Sequence, residues 1–420
     1  MKTGYKDMHC GLIGEHLGHS FSPQIHSLLA DYSYELFELE RDGVGYFVKH
    51  NSLDAYNVTI PYKKDVMPFL DVISKEAATI GAVNTIVRRD GRLYGYNTDY
   101  FGFSYTIDFS KIKIKGKKAL VLGAGGASAT VCAVLRDRGV RELIVVSSKT
   151  NTPEFLSKHT DTDIIVNASP VGMYPHNGVS PVDLSLFPTC SGVLDLIYNP
   201  SKTQLLLDAE AKGIPHVNGL PMLVAQAAKA FELFTGDAYE QGICERIIRA
   251  IEAETKNIIL IGMPGCGKST VGRLIAKKLG RPFFDADDEF SKTFTQSPAD
   301  IIREQGEDKF RQMEHEVTKA LGKKSGAVIS CGGGVITREY NYAPLHQNGT
   351  VIFLERELSR LSKKGRPLSQ ATSVQELYNA RIDAYLRFAD LCVASTEIPE
   401  KTAELMIKKL SQIQKGDFHK

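Results

Sequence analysis

Residues 262–270 read GMPGCGKST and follow the apolar run Ile258–Ile261. The spacing G-x-x-x-x-G-K-S between a strand and a helical pattern is typical of a loop that wraps phosphate with backbone N–H groups. In such a loop a lysine, here Lys268, neutralises charge, and a serine, here Ser269, can bind Mg²⁺. Because this loop lies in mid-chain, we expect a separate domain to precede it.

The bulk composition indicates a soluble, multidomain protein. The chain has 420 residues, of which 43% are hydrophobic and 24% charged, and its formal net charge is +2. That length predicts two to four domains, and the balanced charge argues against a nucleic-acid partner. No apolar stretch reaches membrane-spanning length, and the seven cysteines have no paired metal spacing. We therefore expect a cytoplasmic protein without a membrane partner, whereas the sequence leaves the oligomeric state open.

A second glycine-rich turn, Gly123–Ser128, lies between the strand pattern KALVL and a helical stretch. Its pattern G-x-G-x-x-S, followed by the strand patterns ELIVVSS, DIIVNAS and GVLDLIY, predicts a parallel α/β sheet that binds a dinucleotide pyrophosphate. The next strand pattern runs into Lys149 rather than an acidic residue, which favours the 2′-phosphate of NADP. The alternative is that Lys149 is a solvated surface lysine.

The first half of the chain resembles the shikimate dehydrogenase family over nearly all of residues 8–236. The matching segments, in family order, are HSFSPQIH, NVTIPYKKD, GAVNT, GYNTDYFGF, GAGGAS, NASPVGM, DLIYNP and GLPMLVAQAAKAF. The resemblance implies a two-lobed fold with a Rossmann-like NADP domain, and reduction of 3-dehydroshikimate to shikimate by NADPH. It also implies that Lys63 and Asp99 form the catalytic pair. An ammonium can stabilise and protonate the alkoxide that develops on a reduced ketone, and a carboxylate can orient that ammonium.

The same resemblance implies the binding residues. For the substrate carboxylate they are Ser20, Ser22, Thr59 and Tyr198, and for the ring hydroxyls Asn84, Asp99 and Gln226. For the cofactor they are Gly123, Ala124, Gly125, Gly126, Ala127, Ser148, Lys149, Thr150, Gly219 and Met222. Local alternatives exist: Lys63 could be a solvated lysine, Asn84 a turn residue, and Ser20 and Ser22 caps of a helix beginning at Pro23.

Two departures from the family pattern concern the cofactor. Ser148-Lys149-Thr150 stands where the family usually reads N-R-T, so the arginine that would stack on adenine is lost. The stretch from Thr150 to Asp161 is short, and TPEFLSKH has room for two helical turns. We expect a trimmed adenine side and weaker cofactor binding.

The second half resembles the shikimate kinase family across residues 257–410. After the phosphate loop come FFDADDEF, GEDKFRQMEHEV, ISCGGGVIT, GRPLS and ARIDAYLRFAD in one order. The resemblance implies a P-loop α/β/α domain that transfers phosphoryl from MgATP to the shikimate 3-hydroxyl. It implies that Asp287 holds the ring hydroxyls and acts as base, and that Arg366 is a mobile catalytic arginine.

Further roles follow from the kinase resemblance. Two arginines would clamp the carboxylate bidentately, and three glycines would let backbone N–H groups approach the substrate, although the glycines could also be a hinge. Cys266 and Cys331 are expected to be buried packing residues. The substrate-binding set is thus Asp287, Arg311, Gly332, Gly333, Gly334 and Arg381, the nucleotide-binding set Gly262, Gly265, Cys266, Gly267, Lys268, Ser269 and Thr270, and the metal set Ser269 and Asp285.

Together the two halves predict a bifunctional enzyme with NADP(H), ATP and Mg²⁺, acting on 3-dehydroshikimate and shikimate. The expected organisation is a substrate lobe at 1–105 completed by helices at 219–237, an NADP domain at 106–218, a helical connector at 238–256, and a kinase domain at 257–415. Two alternatives remain for the first half. It could be a quinate or NAD-linked dehydrogenase, or a catalytically silent module that senses shikimate.

Overall fold

A computed structural model describes residues 2–18, 20–361 and 373–415. The chain forms two compact units, and each is described by itself. The first unit comprises Met1–Met173, Val179–Tyr198 and Asp208–Ile248, and the second comprises Tyr174–Gly178, Asn199–Leu207 and Arg249–Lys420. Within the described ranges, no helix is both long and apolar enough to cross a bilayer.

The first unit begins with a mixed sheet in the order β2-β1-β3-β5-β6-β4. The pairs β3–β5 and β5–β6 are antiparallel, and the other neighbours are parallel. Asp90 and Gly91, with φ of 49° and 74°, form the turn of the β5–β6 hairpin, where two positive φ values match the twist of the strands. The strands are β1 (His9–Gly14), β2 (Ser33–Glu38), β3 (Ala55–Val58), β4 (Val72–Ile73), β5 (Thr85–Arg89) and β6 (Arg92–Tyr96).

A second sheet in the first unit is parallel in every pair and has the order β11-β10-β9-β7-β8. Its central strands are buried along their whole length, as the continuous apolar runs predict for a sheet covered on both faces. The strands are β7 (Lys118–Leu122), β8 (Glu142–Val146), β9 (Ile164–Asn167), β10 (Gly192–Asp195) and β11 (His216–Val217).

Among the helices of the first half, one contact is unusually close. A Cβ added at Gly102 would lie 2.6 Å from the carbonyl oxygen of Met222, so glycine lets two helices, α4 and α8, approach backbone to backbone. The helices are α1 (Ser22–Leu29), α2 (Val44–His50), α3 (Lys75–Ile80), α4 (Thr98–Ser110), α5 (Gly126–Asp137), α6 (Pro153–Leu156), α7 (Gln204–Ala211), α8 (Leu220–Thr235) and α9 (Ile243–Thr255).

The second unit is built on a parallel sheet in the order β13-β14-β12-β15-β16. Its strands are β12 (Asn257–Ile261), β13 (Phe283–Asp285), β14 (Val328–Ser330), β15 (Gly349–Glu355) and β16 (Leu391–Ala394). Its helices are α10 (Lys268–Leu279), α11 (Ala286–Phe294), α12 (Pro298–Gln305), α13 (Glu307–Gly322), α14 (Tyr342–His346), α15 (Val374–Asn379), α16 (Ile382–Phe388) and α17 (Pro399–Lys415).

Two short segments from earlier in the chain belong to the second unit because they bond to it. The backbone N–H of Lys202 donates to the carbonyl oxygen of Gln347 at 2.8 Å. Lys323 Nζ donates to the carbonyl oxygen of Pro175 at 3.0 Å. The second unit thus includes chain that lies more than forty residues before the phosphate loop.

The predicted fold class is confirmed: a Rossmann-like dehydrogenase half precedes a P-loop half. Helix α8 ends at Gly236, which has the left-handed φ of 81° typical of a helix stop. Helix α9 begins at Ile243, directly after Gly242, whose φ of 77° lies outside the helical region. The alternative in which Ser20 and Ser22 are N-caps of α1 is not observed: Phe21 is the N-cap, and Ser20 Oγ instead accepts from the N–H of Ser22, the first residue of the helix.

Candidate active sites

Lys63 and Asp99 form an ion pair in the first unit. Lys63 lies in the turn after β3, where its carbonyl oxygen accepts from the N–H of Val83 at 2.8 Å. Asp99 lies in the first turn of α4, whose N-cap Asn97 accepts from the N–H of Tyr100. Lys63 Nζ donates to Asp99 Oδ2 at 2.6 Å, and the two side chains are 20% and 11% exposed. The Lys63 ammonium thus has the Asp99 carboxylate as its counter-charge and stays partly accessible to solvent.

Two predicted ring-hydroxyl ligands lie in one buried hydrogen-bonded group near this pair. Asn84 precedes β5 and Gln226 lies on α8, and both contact Thr98, the residue before Asp99. The fold therefore brings Asn84, Asp99 and Gln226 together from three elements. Their predicted contacts with substrate stay a prediction.

The four predicted carboxylate ligands lie on different segments. Ser20 Oγ accepts from the N–H of Ser22 at 3.2 Å, and the Tyr198 ring packs on Phe21 with centroids 5.4 Å apart. Burial raises the pKa of the Tyr198 hydroxyl, so it is a neutral donor at physiological pH. The N–H of Thr59 donates to the carbonyl oxygen of Ile13 at 2.9 Å, which fixes that turn beside β1.

The glycine turn Gly123–Ser128 connects β7 to α5 and has an exposed tip. Gly123 has φ of 115°, and a Cβ there would lie 2.8 Å from the carbonyl oxygen of Ala168, so glycine is required. Ala124, Gly125 and Gly126 are exposed, and no side chain caps α5. The first N–H groups of α5 are therefore available to an anion such as a pyrophosphate. Ala127 is half-buried and Ser128 is buried, which explains a small residue at the last position of the motif.

The segment after β8 forms a tight turn. Thr150 Oγ1 accepts from the N–H of Ser147 at 2.9 Å, which closes the turn, while Ser148 and Lys149 are exposed. The short stretch that follows has the two predicted turns, α6 and a 3-10 helix at Ser157–His159. Exposure of Lys149 leaves its ammonium accessible to a phosphate.

Two predicted cofactor residues lie at the start of α8. Gly219 is the N-cap, and a Cβ there would collide with the carbonyl oxygen of Leu196. Met222 is half-buried against the core beneath the parallel sheet. Both positions are therefore constrained by packing, and their contact with a cofactor stays a prediction.

The phosphate loop of the second unit has the backbone that its glycines predict. Gly262, Gly265 and Gly267 have φ of 147°, 85° and 102°. Lys268 Nζ donates to the carbonyl oxygens of Gly262 and Met263 at 2.9 and 3.2 Å. The lysine thus lies across the loop, while Thr270 is exposed at the first turn of α10.

A hydroxyl and a carboxylate meet beside this loop. Ser269 Oγ donates to Asp285 Oδ2 at 2.6 Å, and Asp285 also caps α11 by accepting from the N–H of Asp287 at 3.1 Å. These are the hard oxygen donors that Mg²⁺ prefers. Cys266 and Cys331 are buried, and burial raises the pKa of Cys331 to about 12, which fits packing rather than reactivity.

The predicted carboxylate clamp is held by acidic neighbours and by close glycines. Arg311 is 3% exposed and donates to Glu314 at 2.8 Å and to Glu307 at 2.9 Å. A Cβ at Gly334 would collide with the Arg311 guanidinium, and one at Gly332 would lie 2.9 Å from Glu314 Oε1. The guanidinium therefore needs glycine beside it.

Arg381 and Asp287 complete this group. Arg381 Nη1 donates to the carbonyl oxygen of Gly333 at 3.2 Å, and Asp287 Oδ1 would lie 3.4 Å from a Cβ at Gly332. The glycine triplet thus lies between both predicted arginines and the predicted base. Arg366 of the GRPLS segment lies outside the described residues.

The comparisons with known proteins agree with this geometry. A shikimate dehydrogenase (NADP(+)) from Clostridium beijerinckii is 38% identical over 267 residues, which cover 59% of this chain and 98% of the relative. The chain belongs to the shikimate dehydrogenase family. Family models for the shikimate dehydrogenase substrate binding domain and the shikimate 5'-dehydrogenase C-terminal domain match residues 12–86 and 219–238. The shikimate kinase family model matches residues 264–411, so the chain fuses a dehydrogenase part to a kinase part.

Solved structures support the dehydrogenase fold. Shikimate dehydrogenase 1 from Peptoclostridium difficile is 39% identical, with 58% of this chain and 97% of that chain covered and a TM-score of 0.53. The shikimate 5-dehydrogenase from Thermus thermophilus in complex with NADP(H) and shikimate is 33% identical, with 58% and 99% covered and a TM-score of 0.52. The predicted fusion is therefore confirmed.

The structure adds residues that the sequence analysis missed in both parts. In the dehydrogenase part the missed residue is Thr98, whose hydroxyl group is hydrogen-bonded to both Asn84 and Gln226. In the kinase part it is Glu314, whose carboxylate lies one helical turn from Arg311. Burial raises the pKa of Glu314 against the lowering effect of the Arg311 guanidinium. The (i, i+3) spacing of this pair on a helix was a usable signal.

A cavity of about 370 Å³ in the kinase part also escaped the sequence analysis. Its lining includes Arg356, Arg360, Tyr378 and Thr396. Arg356 Nη1 lies 3.7 Å from a Cβ built on Gly267, so the cavity adjoins the phosphate loop. Its residues come from the segments at the ends of β15 and β16 and, with Tyr378, from α15, which only the fold brings together.

Proposed function

We propose that this fusion enzyme reduces 3-dehydroshikimate to shikimate in its dehydrogenase part and phosphorylates the shikimate 3-hydroxyl in its kinase part. One observation carries the proposal. A single chain that matches both families contains an assembled Lys63–Asp99 pair and an assembled phosphate loop. The hydride step creates the hydroxyl that the kinase step consumes, so the two chemistries are consecutive.

In the dehydrogenase part, Lys63 supplies the proton for reduction. When bound, NADPH supplies the hydride that reduces the ketone. As negative charge develops on the ketone oxygen, the Lys63 ammonium stabilises it and donates a proton. Asp99, 2.6 Å from Lys63 Nζ, orients the ammonium and accepts from a ring hydroxyl.

NADP(H) is the cofactor that the residues fit. The uncapped start of α5 and the glycine turn would hold the pyrophosphate, with Gly219 and Met222 bordering the nicotinamide side. Lys149, exposed after β8, would pair with the 2′-phosphate. An NAD-linked dehydrogenase is less well supported, because the turn Ser147–Thr150 after β8 has no acidic side chain for a free ribose 2′-hydroxyl.

In the substrate site of the dehydrogenase, hydroxyl groups would bind the carboxylate. Ser20, Ser22, Thr59 and Tyr198 are neutral donors, and their use avoids placing another cation beside Lys63. Asn84, Asp99 and Gln226 would bind the ring hydroxyls. The Lys63–Asp99 pair argues against a silent sensing module, since binding alone would not need a proton donor.

In the kinase part, positioning and charge neutralisation supply most of the catalysis. Arg311 and Arg381 would clamp the shikimate carboxylate, and Asp287 would orient the 3-hydroxyl and accept its proton. MgATP supplies the phosphoryl group when bound, with the metal on Ser269 and Asp285 and the phosphates on Lys268 and the loop N–H groups. The cavity lined by Arg356 and Arg360 would hold the base or the ribose, and Arg366 would approach the transferred phosphoryl.

One coupled assay tests both activities. The full chain receives 3-dehydroshikimate, NADPH and MgATP, and absorbance follows NADPH while mass spectrometry follows shikimate 3-phosphate. We expect one phosphorylated product for each NADPH consumed. Oxidation of NADPH without a phosphorylated product would exclude the kinase role, and phosphorylation of added shikimate without NADPH oxidation would exclude the dehydrogenase role.

A further inference from the structure

Helix α4 has a polar stripe that bonds to the end of α5. Tyr100, Ser104 and Asp108 follow one another at intervals of four residues, so they lie on one side of α4. Their partners are Asp137, the last residue of α5, and Arg138, its C-cap. These five residues are here called the α4–α5 clamp.

The first bond of the clamp comes from a tyrosine. The Tyr100 hydroxyl donates to Asp137 Oδ2 at 2.6 Å. This hydrogen bond raises the pKa of Tyr100 to about 12, so the hydroxyl keeps its proton at physiological pH. The bond therefore has a neutral donor and a charged acceptor, which makes it stronger than a bond between two neutral groups.

The remaining bonds come from one guanidinium. Arg138 Nη1 and Nη2 donate to the two carboxylate oxygens of Asp108 at 2.7 and 2.6 Å. Nη2 also donates to the carbonyl oxygen of Ser104 at 3.2 Å. Because a guanidinium is planar and these bonds are bidentate, they fix the direction of approach between the two helices as well as the distance.

Apolar packing lies beside the clamp. Phe103 and Ile107 of α4 are buried in the same core as Val134 and Leu135 of α5. The Tyr100 ring packs against that core as well. Apolar contacts are not directional, so the clamp supplies the contacts that limit sliding of one helix along the other.

The clamp lies between the two halves of the dehydrogenase site. Asp99, the carboxylate of the catalytic pair, immediately precedes Tyr100 in the chain. The opposite end of α5 carries the uncapped N–H groups that would hold the cofactor pyrophosphate. Helix α5 has 12 residues and is therefore about 18 Å long. A displacement of α5 relative to Tyr100 would thus also displace the cofactor site relative to Asp99.

We propose that Tyr100 and Arg138 are positioning residues that hold α5 against α4 at the separation that hydride transfer requires. The inference rests on the proposed dehydrogenase function. Reacting atoms must approach to about 3 to 3.5 Å, and a misplacement of about 1 Å slows a reaction strongly. Both side chains act through the helices, since their polar groups are used within the clamp.

The test measures the hydride step in Tyr100→Phe, Arg138→Ala and the double variant. Stopped-flow absorbance follows a single turnover, with the NADPH-loaded full chain in saturating excess over 3-dehydroshikimate. We expect the first-order rate constant to fall about threefold in each single variant and about tenfold in the double variant, as loss of partly exposed, charge-assisted hydrogen bonds predicts. The dissociation constant for NADPH and the kinase rate should stay within twofold of the parental values.

Two matched variants lose similar groups elsewhere. Tyr105 lies on the same helix, and its hydroxyl donates to Glu245 at 2.6 Å, a carboxylate of α9 rather than of α5. Arg136 is exposed in the last turn of α5. Tyr105→Phe and Arg136→Ala should keep the parental rate constant.

The readouts separate positioning from folding. A partly unfolded preparation would keep the parental rate constant, because that constant describes the bound complex and not the amount of active enzyme. A parental rate constant in the double variant, or an equal loss in Tyr105→Phe, would overturn the inference while leaving the proposed function intact. A parental chain that fails to reduce 3-dehydroshikimate would instead overturn the proposed function itself.

Discussion

The two sites hold their predicted catalytic lysines in different ways. In the dehydrogenase part, Lys63 Nζ is paired with a carboxylate at 2.6 Å. In the kinase part, Lys268 Nζ lies on carbonyl oxygens of its own loop at 2.9 and 3.2 Å. The dehydrogenase lysine therefore has its counter-charge within the fold, whereas the kinase lysine bonds to neutral carbonyl oxygens, which phosphate oxygens would replace in the proposed nucleotide complex.

The two sites also differ in the groups that surround their binding residues. In the dehydrogenase, Asn84, Thr98 and Gln226 are organised by side-chain hydrogen bonds among neutral groups. Beside Arg311 of the kinase, Gly334 leaves space for the guanidinium, and Gly332 leaves space for the carboxylate of its partner Glu314. We infer that the first site is sensitive to lost hydrogen bonds and the second to added volume.

The largest expected effects come from removing each lysine. Lys63→Ala should lower dehydrogenase kcat by about 10² to 10⁴, because it removes the proton donor. Lys268→Ala should lower kinase kcat by at least about 10² to 10³, because it removes a preorganised cation at the transferring phosphoryl. Each variant should leave the other activity unchanged, and steady-state rates of both reactions provide the measurement.

Neighbouring lysines provide matched controls. Lys64 directly follows Lys63 and is exposed, and Lys277 is exposed in the last turn of α10. Lys64→Ala and Lys277→Ala should retain parental rates. If Lys63→Ala abolished the kinase rate as well, the difference between the two sites would be one of coupled folding rather than chemistry.

A smaller effect is expected from one added methyl group in the kinase part. Gly334→Ala places a Cβ against the Arg311 guanidinium, which must move from its position between Glu307 and Glu314. Overpacking of this kind typically costs about 1 to 3 kcal/mol, so we expect KM for shikimate to rise about tenfold. The dissociation constant for MgATP should not change, and calorimetry measures it directly.

The alanine variant also tests the inferred role of the glycine triplet. A parental KM for shikimate in Gly334→Ala would show that Arg311 does not bind the carboxylate from this position. A matched loss of MgATP affinity would instead indicate general damage to the phosphate loop.

The sequence predicted those turns whose backbone conformation depends on the residues within the turn itself. The glycine turn Gly123–Ser128 and the phosphate loop were identified because tight turns with positive φ need glycine at fixed spacing. The end of α8 at Gly236 followed from the same preference. The families, and with them the sheet connections, followed from the order of many motifs rather than from any one segment.

Contacts between distant residues could not be predicted in this way. Thr98 and Gln226 are 128 positions apart, and their bond exists because Gly102 lets α4 approach α8. The membership of Tyr174–Gly178 in the second unit likewise depends on tertiary hydrogen bonds. Whether Ser20 or Ser22 is the N-cap of α1 could not be decided from the sequence either, because a serine near a helix start does not by itself determine which residue is the N-cap.

A buried histidine makes the dehydrogenase part sensitive to acid. His26 stacks on Tyr34 with ring centroids 3.9 Å apart, and burial lowers the pKa of His26 to about 3 from its ordinary 6.5. As pH falls below about 6.5, the unfolded chain binds a proton that the folded chain excludes. The free energy of unfolding of the first unit should therefore fall by about 1.4 kcal/mol per pH unit toward pH 3.

Hydrogen exchange of the α1 and β2 amides between pH 7 and pH 4 measures this dependence. His26→Phe keeps an aromatic ring and removes the titrating group, so its slope should be flatter than the parental slope. His50→Phe is the control, because His50 is exposed on α2. Equal slopes for the parental chain and His26→Phe would assign the acid sensitivity to other groups.

The smallest expected effect concerns cofactor preference. Lys149 is exposed in the turn after β8, so its attraction for a 2′-phosphate is screened by solvent. Lys149→Ala should raise KM for NADPH about two- to fivefold and leave KM for NADH unchanged, since an exposed ion pair contributes up to about 1 kcal/mol. Lys158→Ala, a nearby exposed lysine, serves as the control. If both cofactors lost affinity equally, Lys149 would act on the turn rather than on the phosphate, and the preference for NADP would have to come from elsewhere in the first unit.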